Sequence, residues 1–123
     1  MVSRETLPAQ TRLSKDFIAG IISTHGSFLH THSARVEQFG FQIKLTATNY
    51  ALLELIRESI GLKRPARLFR EKNSSYTILT TRSKKELLTK LIPYIDGEII
   101  GPKLAHFERW KALLNNDSGA RQN

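Results

Sequence analysis

Residues 17–26 read FIAGIISTHG, an apolar run in which Ala19, Gly20 and Ser23 interrupt larger side chains and which stops at Gly26. Small residues spaced through a hydrophobic helix let another backbone approach closely, because little side-chain bulk stands between the two. Just upstream, Ser14 is a suitable N-cap and Asp16 places a negative charge in the first turn, where the helix dipole favours it. The reading is a helix from Ser14 that Gly26 ends, with Phe17, Ile18, Ile21 and Ile22 as its apolar contacts.

Downstream the hydrophobic period changes. Phe39, Phe41, Ile43 and Leu45 alternate with Gly40, Gln42, Lys44 and Thr46, the period of a half-buried strand. Two strands are predicted at 27–32 and 39–47, with a turn at 33–38. Asn49 then caps a helix whose inner side is Leu52, Leu53, Leu55, Ile56 and Ile60, and Gly61 closes it. A second copy of the unit follows, with strands at 66–71 and 75–80 and a capping box of Ser83 and Glu86. Its helix carries Leu87, Leu88, Leu91 and Ile92 and is expected to stop at Pro93. Pro102 opens a last helix with Leu104, Phe107, Trp110 and Leu114.

The predicted fold class is therefore α+β, in the order αββαββα, with a four-stranded antiparallel sheet and helices on one face. Residues 1–12 are expected to form an arm, 13–114 a single domain and 115–123 a flexible tail.

The balance of charge narrows the partners. Nineteen Lys and Arg against eleven Asp and Glu leave a net charge of +8, and such an excess attracts polyanions, nucleic acid first among them. Lys63, Arg64, Arg67, Arg70 and Lys72 cluster in a stretch whose single acid is Glu71. With no cysteine in the chain, disulfides and thiolate metal sites are excluded, and a cytoplasmic location is the default, nucleoid-associated in a bacterium. No apolar run approaches the roughly 20 residues of a membrane span.

If Phe41, Ile43 and Leu45 face the helices, Gln42 and Lys44 face outward. In the second hairpin Tyr76 and Ile78 suit the core, which would turn Ser75 and Thr77 outward. The candidate contacts to nucleic acid are thus Thr31, Ser33, Arg35, Gln42, Lys44, Arg67, Arg70, Lys72, Ser75 and Thr77, side chains able to bond base edges or phosphates. His30 and His32 fall on the core side, where hydrogen-bonded structural roles fit them better than metal ligation.

FIAGIISTHGSF, the two ββα units and the closing IIGPKLAHFERWKALL together resemble a single-motif LAGLIDADG homing endonuclease domain over residues 13–114. The resemblance implies a saddle-shaped sheet and motif helices that pack side by side across two domains, so that a one-motif chain works as a homodimer through Phe17, Ala19, Gly20 and Ser23. It also implies an acid near the end of each motif helix to hold a divalent metal beside the scissile phosphate. Aligned on the motif, Ser23 and His25 occupy the two acidic positions, and Lys103 matches a lysine near the active site of relatives.

A neutral imidazole replaces a hard carboxylate poorly as a magnesium ligand, and a protonated one repels the ion. Asp16 lies about 13 Å away along the helix, at its other end. The expectation is therefore a sequence-specific binder of double-stranded DNA on an endonuclease scaffold, without catalytic residues, metal or cofactor, serving in transcription regulation. The alternatives are an active endonuclease using magnesium and an RNA-binding splicing cofactor.

Overall fold

The computed structural model describes residues 13–33 and 35–122; the arm expected at 1–12 lies outside the described residues. Helix α1 (Lys15–His25) starts where Ser14 accepts a hydrogen bond from the Phe17 N–H at 3.0 Å. Strand β1 (Gly26–Ser33) follows without a loop and pairs with β2 (Val36–Thr46). The connection is tight rather than the long turn expected, and Arg35 takes a φ of 76° in it, a conformation uncommon outside glycine.

A 3₁₀ turn (Ala47–Asn49) leads into α2 (Tyr50–Ile60). Asn49 does not cap α2 with its side chain; its amide donates instead to the Thr46 hydroxyl at 3.0 Å. Gly61 closes the helix in the left-handed region at φ 97°, as expected of a C-terminal glycine.

Strands β3 (Arg67–Arg70) and β4 (Ser75–Thr81) complete an antiparallel sheet in the order β1-β2-β4-β3. Ser83 accepts from the Glu86 N–H at 3.2 Å, so half of the capping box forms. The Glu86 carboxylate turns elsewhere, to the Lys63 N–H at 2.9 Å and the Thr81 hydroxyl at 2.7 Å.

The helix that opens at α3 (Lys84–Glu86) does not stop at Pro93. It widens into a π turn (Leu87–Leu91) and continues as α4 (Ile92–Ile95). A proline ring crowds the preceding turn and brings no N–H, and a π turn is the local widening that relieves such a conflict.

Helix α5 (Lys103–Gln122) packs Phe107, Trp110 and Leu114 into the core, while Leu104 stays 39% exposed. It runs on through the segment expected as a tail from 115, where Asp117 pairs with Lys84. An aromatic cluster joins α5 to the sheet: the Phe28 ring lies 5.7 Å from Phe41, 5.1 Å from Phe107 and 4.9 Å from Trp110. The Trp110 indole donates to the Leu29 carbonyl at 2.9 Å. Each such buried ring contributes about 1.5–3 kcal/mol by leaving water. All helices pack on this one face of the sheet. Among the described residues no helix is long and apolar enough to cross a membrane.

Candidate nucleic-acid interface

Strand pairing fixes which side chains leave the core. Phe28 faces Phe41, and Ile43 faces Leu79, all of them buried. Residues directly opposite one another share a face and neighbours along a strand alternate. The uncovered face therefore carries Ser27, Leu29, Thr31 and Ser33 from β1 and Gln38, Gly40, Gln42, Lys44 and Thr46 from β2. From β4 and β3 it receives Tyr76, Ile78, Thr80, Arg67 and Phe69. No carboxylate among the described strand residues shares this parity: Glu37 falls on the helix side, and Glu71 lies in the turn after β3.

Thr31, Ser33, Gln42, Lys44 and Arg67 thus stand where the sequence places them. The second hairpin is reversed. Thr77 is fully buried and donates its hydroxyl to the Arg67 carbonyl at 2.9 Å, while Tyr76 and Ile78 face out. Leu79 dictates this parity, since its side chain fills the core opposite Ile43. Ser75 shares the helix side, as does its partner Arg70, which remains exposed because β3 is the sheet edge. Lys72 lies in the β3–β4 turn and Arg35 in the β1–β2 turn, both exposed.

Two further polar side chains of the outer face were not among the expected contacts. Thr80 donates its hydroxyl to the Phe41 carbonyl at 3.0 Å, and Arg82 lies over Gly40, with its Cγ 3.4 Å from where a Cβ would be. Where β4 runs past the start of β3, the sheet opens onto a recess of about 930 Å³ bordered by Lys63, Arg64, Arg67, Arg82, Lys85 and Lys90. Glu86 is the acid in this lining, and the Lys63 N–H and Thr81 hydroxyl already occupy its carboxylate. Six cations around one engaged carboxylate suit a polyphosphate.

At the end of α1, Lys103 Nζ donates to the Gly26 carbonyl at 2.6 Å, and Ser23 Oγ accepts from the Ile100 N–H at 3.1 Å. His25 is exposed and borders a cleft of about 610 Å³ with Lys44, Thr46, Asn49, Glu71 and Tyr76. The Glu71 carboxylate, bonded to the Tyr76 hydroxyl at 3.1 Å, holds that phenol above its ordinary range. One carboxylate, Glu71, already bonded to Tyr76, beside an imidazole and an ammonium group is a poor donor set for magnesium, which prefers several hard oxygens. Among the described residues no group of three or more His, Cys, Asp or Glu is placed to hold a metal. His30 and His32 both bond the Glu37 carboxylate, His30 at 2.5 Å, and the His30 ring stacks on Phe39 at 4.5 Å.

The motif helix divides into two faces. Ile18, Ala19 and Ile22 are buried within the domain, Ala19 at 3% exposure, so the Ala19 side chain, expected at a dimer interface, packs inside its own domain. Ser23 is tied to its own chain through Ile100. The open face carries Phe17, 46% exposed, with Gly20, around which a Cβ meets nothing within 4 Å, and Thr24. Their spacing puts them on one stripe.

No curated protein matches the chain significantly. Among solved structures it is similar to the LAGLIDADG homing endonuclease I-GzeII, in complex with its DNA target, at 19% identity and a TM-score of 0.78. That match covers 93% of this chain and 40% of the other. The homing endonuclease I-LtrWI, bound to target DNA, matches at 22% identity and a TM-score of 0.77, over 91% of this chain and 39% of the other. I-SmaMI, bound to uncleaved DNA with calcium ions, matches at 18% identity and a TM-score of 0.75, over 93% and 41%. The chain thus spans about two-fifths of the length of these proteins. The family model for LAGLIDADG endonucleases matches residues 18–114, and the chain belongs to that family.

Proposed function

We propose that this protein binds double-stranded DNA sequence-specifically through the uncovered sheet face and does not cut it. The observation that carries the reading is that, among the described residues, no strand residue of that face bears a carboxylate, while Gln42, Lys44, Arg67 and Thr80 present donors and acceptors there. A sheet bearing such groups can enter a major groove and bond base edges. The cationic recess beside β3 continues the surface and supplies phosphate contacts. The similar solved structures named above are DNA complexes, which supports the same reading.

Loss of cleavage rests on the end of α1, where a carboxylate pair would be needed and Ser23 and His25 stand instead. Dimerisation rests on Gly20: the domain itself does not need that position empty, whereas a second α1 packed along the Phe17, Gly20 and Thr24 stripe does. A two-fold dimer of this kind selects a palindromic or nearly palindromic site of about 20 bp, one helical turn per subunit. A duplex binder that does not cut acts by occupancy, and transcription regulation is the role we assign to it.

Selection of bound duplexes from a randomised pool tests the proposal. Enrichment of one two-fold symmetric sequence is expected, and a pool that stays random would contradict it. In parallel, a plasmid library incubated with the protein and magnesium or manganese should remain uncut; specific double-strand breaks would overturn the non-cutting reading alone.

A further inference from the structure

Phe69 and Tyr76 stand directly opposite each other on β3 and β4, and their outward rings stack at 5.0 Å between centroids and 16° between planes. The Arg67 guanidinium carbon lies 5.1 Å from the centroid of Phe69, and Lys44 Nζ lies 4.3 Å from that of Tyr76. The uncovered face thus carries one continuous series, Arg67, Phe69, Tyr76 and Lys44, across three strands.

These rings lie on the face opposite the core, so core packing does not account for them. Their effect is on the cations. A ring face attracts a guanidinium or ammonium group, and Arg and Lys otherwise give up large rotamer freedom on meeting a ligand. A guanidinium or ammonium group held against a ring still has N–H donors directed away from it. Donors pre-set in this way match the O6 and N7 acceptors that guanine shows in the major groove. Tyr76 is itself anchored, since its hydroxyl donates to Glu71 at 3.1 Å.

We infer that Phe69 and Tyr76 are positioning residues for base readout, holding Arg67 and Lys44 as guanine-specific donors. The inference rests on the duplex-DNA reading above. It is tested by repeating the duplex selection with the full chain and its variants Phe69→Leu, Phe69→Tyr, Tyr76→Leu and Arg67→Met.

Phe69→Leu should lower the preference for guanine at one position of each half-site by about tenfold, with the slope of affinity against salt and the melting temperature unchanged. Phe69→Tyr should keep the preference, Arg67→Met should lose it at the same position, and Tyr76→Leu should lose it at a second position. An unaltered preference in Phe69→Leu, or uniform weakening across all sequences, would overturn the inference while leaving duplex binding intact. Should Phe69→Leu fail to fold, Arg67→Met and Tyr76→Leu decide: guanine preferences identical to the unmodified chain overturn it. An unmodified chain that enriches no sequence contradicts the duplex-DNA reading itself, and this inference with it.

Discussion

Gly20 and Gly26 of the motif segment have opposite steric surroundings. A Cβ at Gly26 would sit 2.7 Å from the Ile22 carbonyl oxygen, whereas a Cβ at Gly20 meets nothing within 4 Å. Gly26 serves the domain by letting α1 pass straight into β1. Gly20 leaves an opening on the surface of α1 that the domain does not fill.

Gly26→Ala should therefore destabilise the fold by about 1–3 kcal/mol through forced crowding, seen as a lowered denaturation midpoint. Gly20→Leu should leave the melting temperature of the separated domain within a few degrees while abolishing the dimer in sedimentation. A Gly20→Leu chain that still sediments as a dimer would remove the α1 interface.

Thr77→Val removes a buried hydroxyl and leaves the Arg67 carbonyl without its 2.9 Å donor. A loss of about 1–3 kcal/mol in denaturant unfolding follows from that unsatisfied acceptor. Base preference should not change, because the side chain faces the helices. A shifted preference would place Thr77 at the DNA after all.

Glu54 ties α2 to the start of β3. It accepts from Arg57 Nε at 3.1 Å and Nη2 at 2.9 Å, and from the Ala66 N–H at 2.6 Å. These bonds raise the Arg57 guanidinium above its ordinary range, the hydrogen bond to Glu54 being the main cause. Glu54→Ala should cost about 1–3 kcal/mol of stability and weaken duplex binding, since Arg67 follows directly on Ala66. Hydrogen exchange at β3 measures the loosening; protection equal to that of the unmodified chain would contradict it.

The recess beside β3 makes a quantitative prediction about salt. If Lys85 and Lys90 each neutralise one phosphate, replacing either by alanine should reduce the log–log salt slope by about 0.9. Affinity should fall alike for all sequences. An unchanged slope would exclude both lysines from the DNA.

The sequence made the first ββα unit legible because β2 alternates strictly, and Phe41 and Ile43 could only face the core. In β4 the neighbours Ile78 and Leu79 are both apolar, so the pattern supports either parity. Packing of Leu79 against Ile43 decides it, and with it the reversal of Tyr76 and Thr77. The burial of Ala19 was equally hidden, since a small residue fits the inside of a domain as well as an interface. Continuation of the helix through Pro93 depends on a π turn that no local pattern announces. Ser14, Gly61 and Trp110 were readable because caps and aromatic core residues obey short-range rules.

The most direct test of a cationic sheet face that grips duplex DNA is equilibrium binding of a selected duplex across a range of salt, by the unmodified chain and by the double variant Lys44→Glu, Arg67→Glu. Affinity is predicted to fall steeply with salt, by about 0.9 log units per log unit for each phosphate neutralised, and by roughly a hundredfold in the variant. A flat salt response, or a variant that binds as tightly as the unmodified chain, would contradict the account.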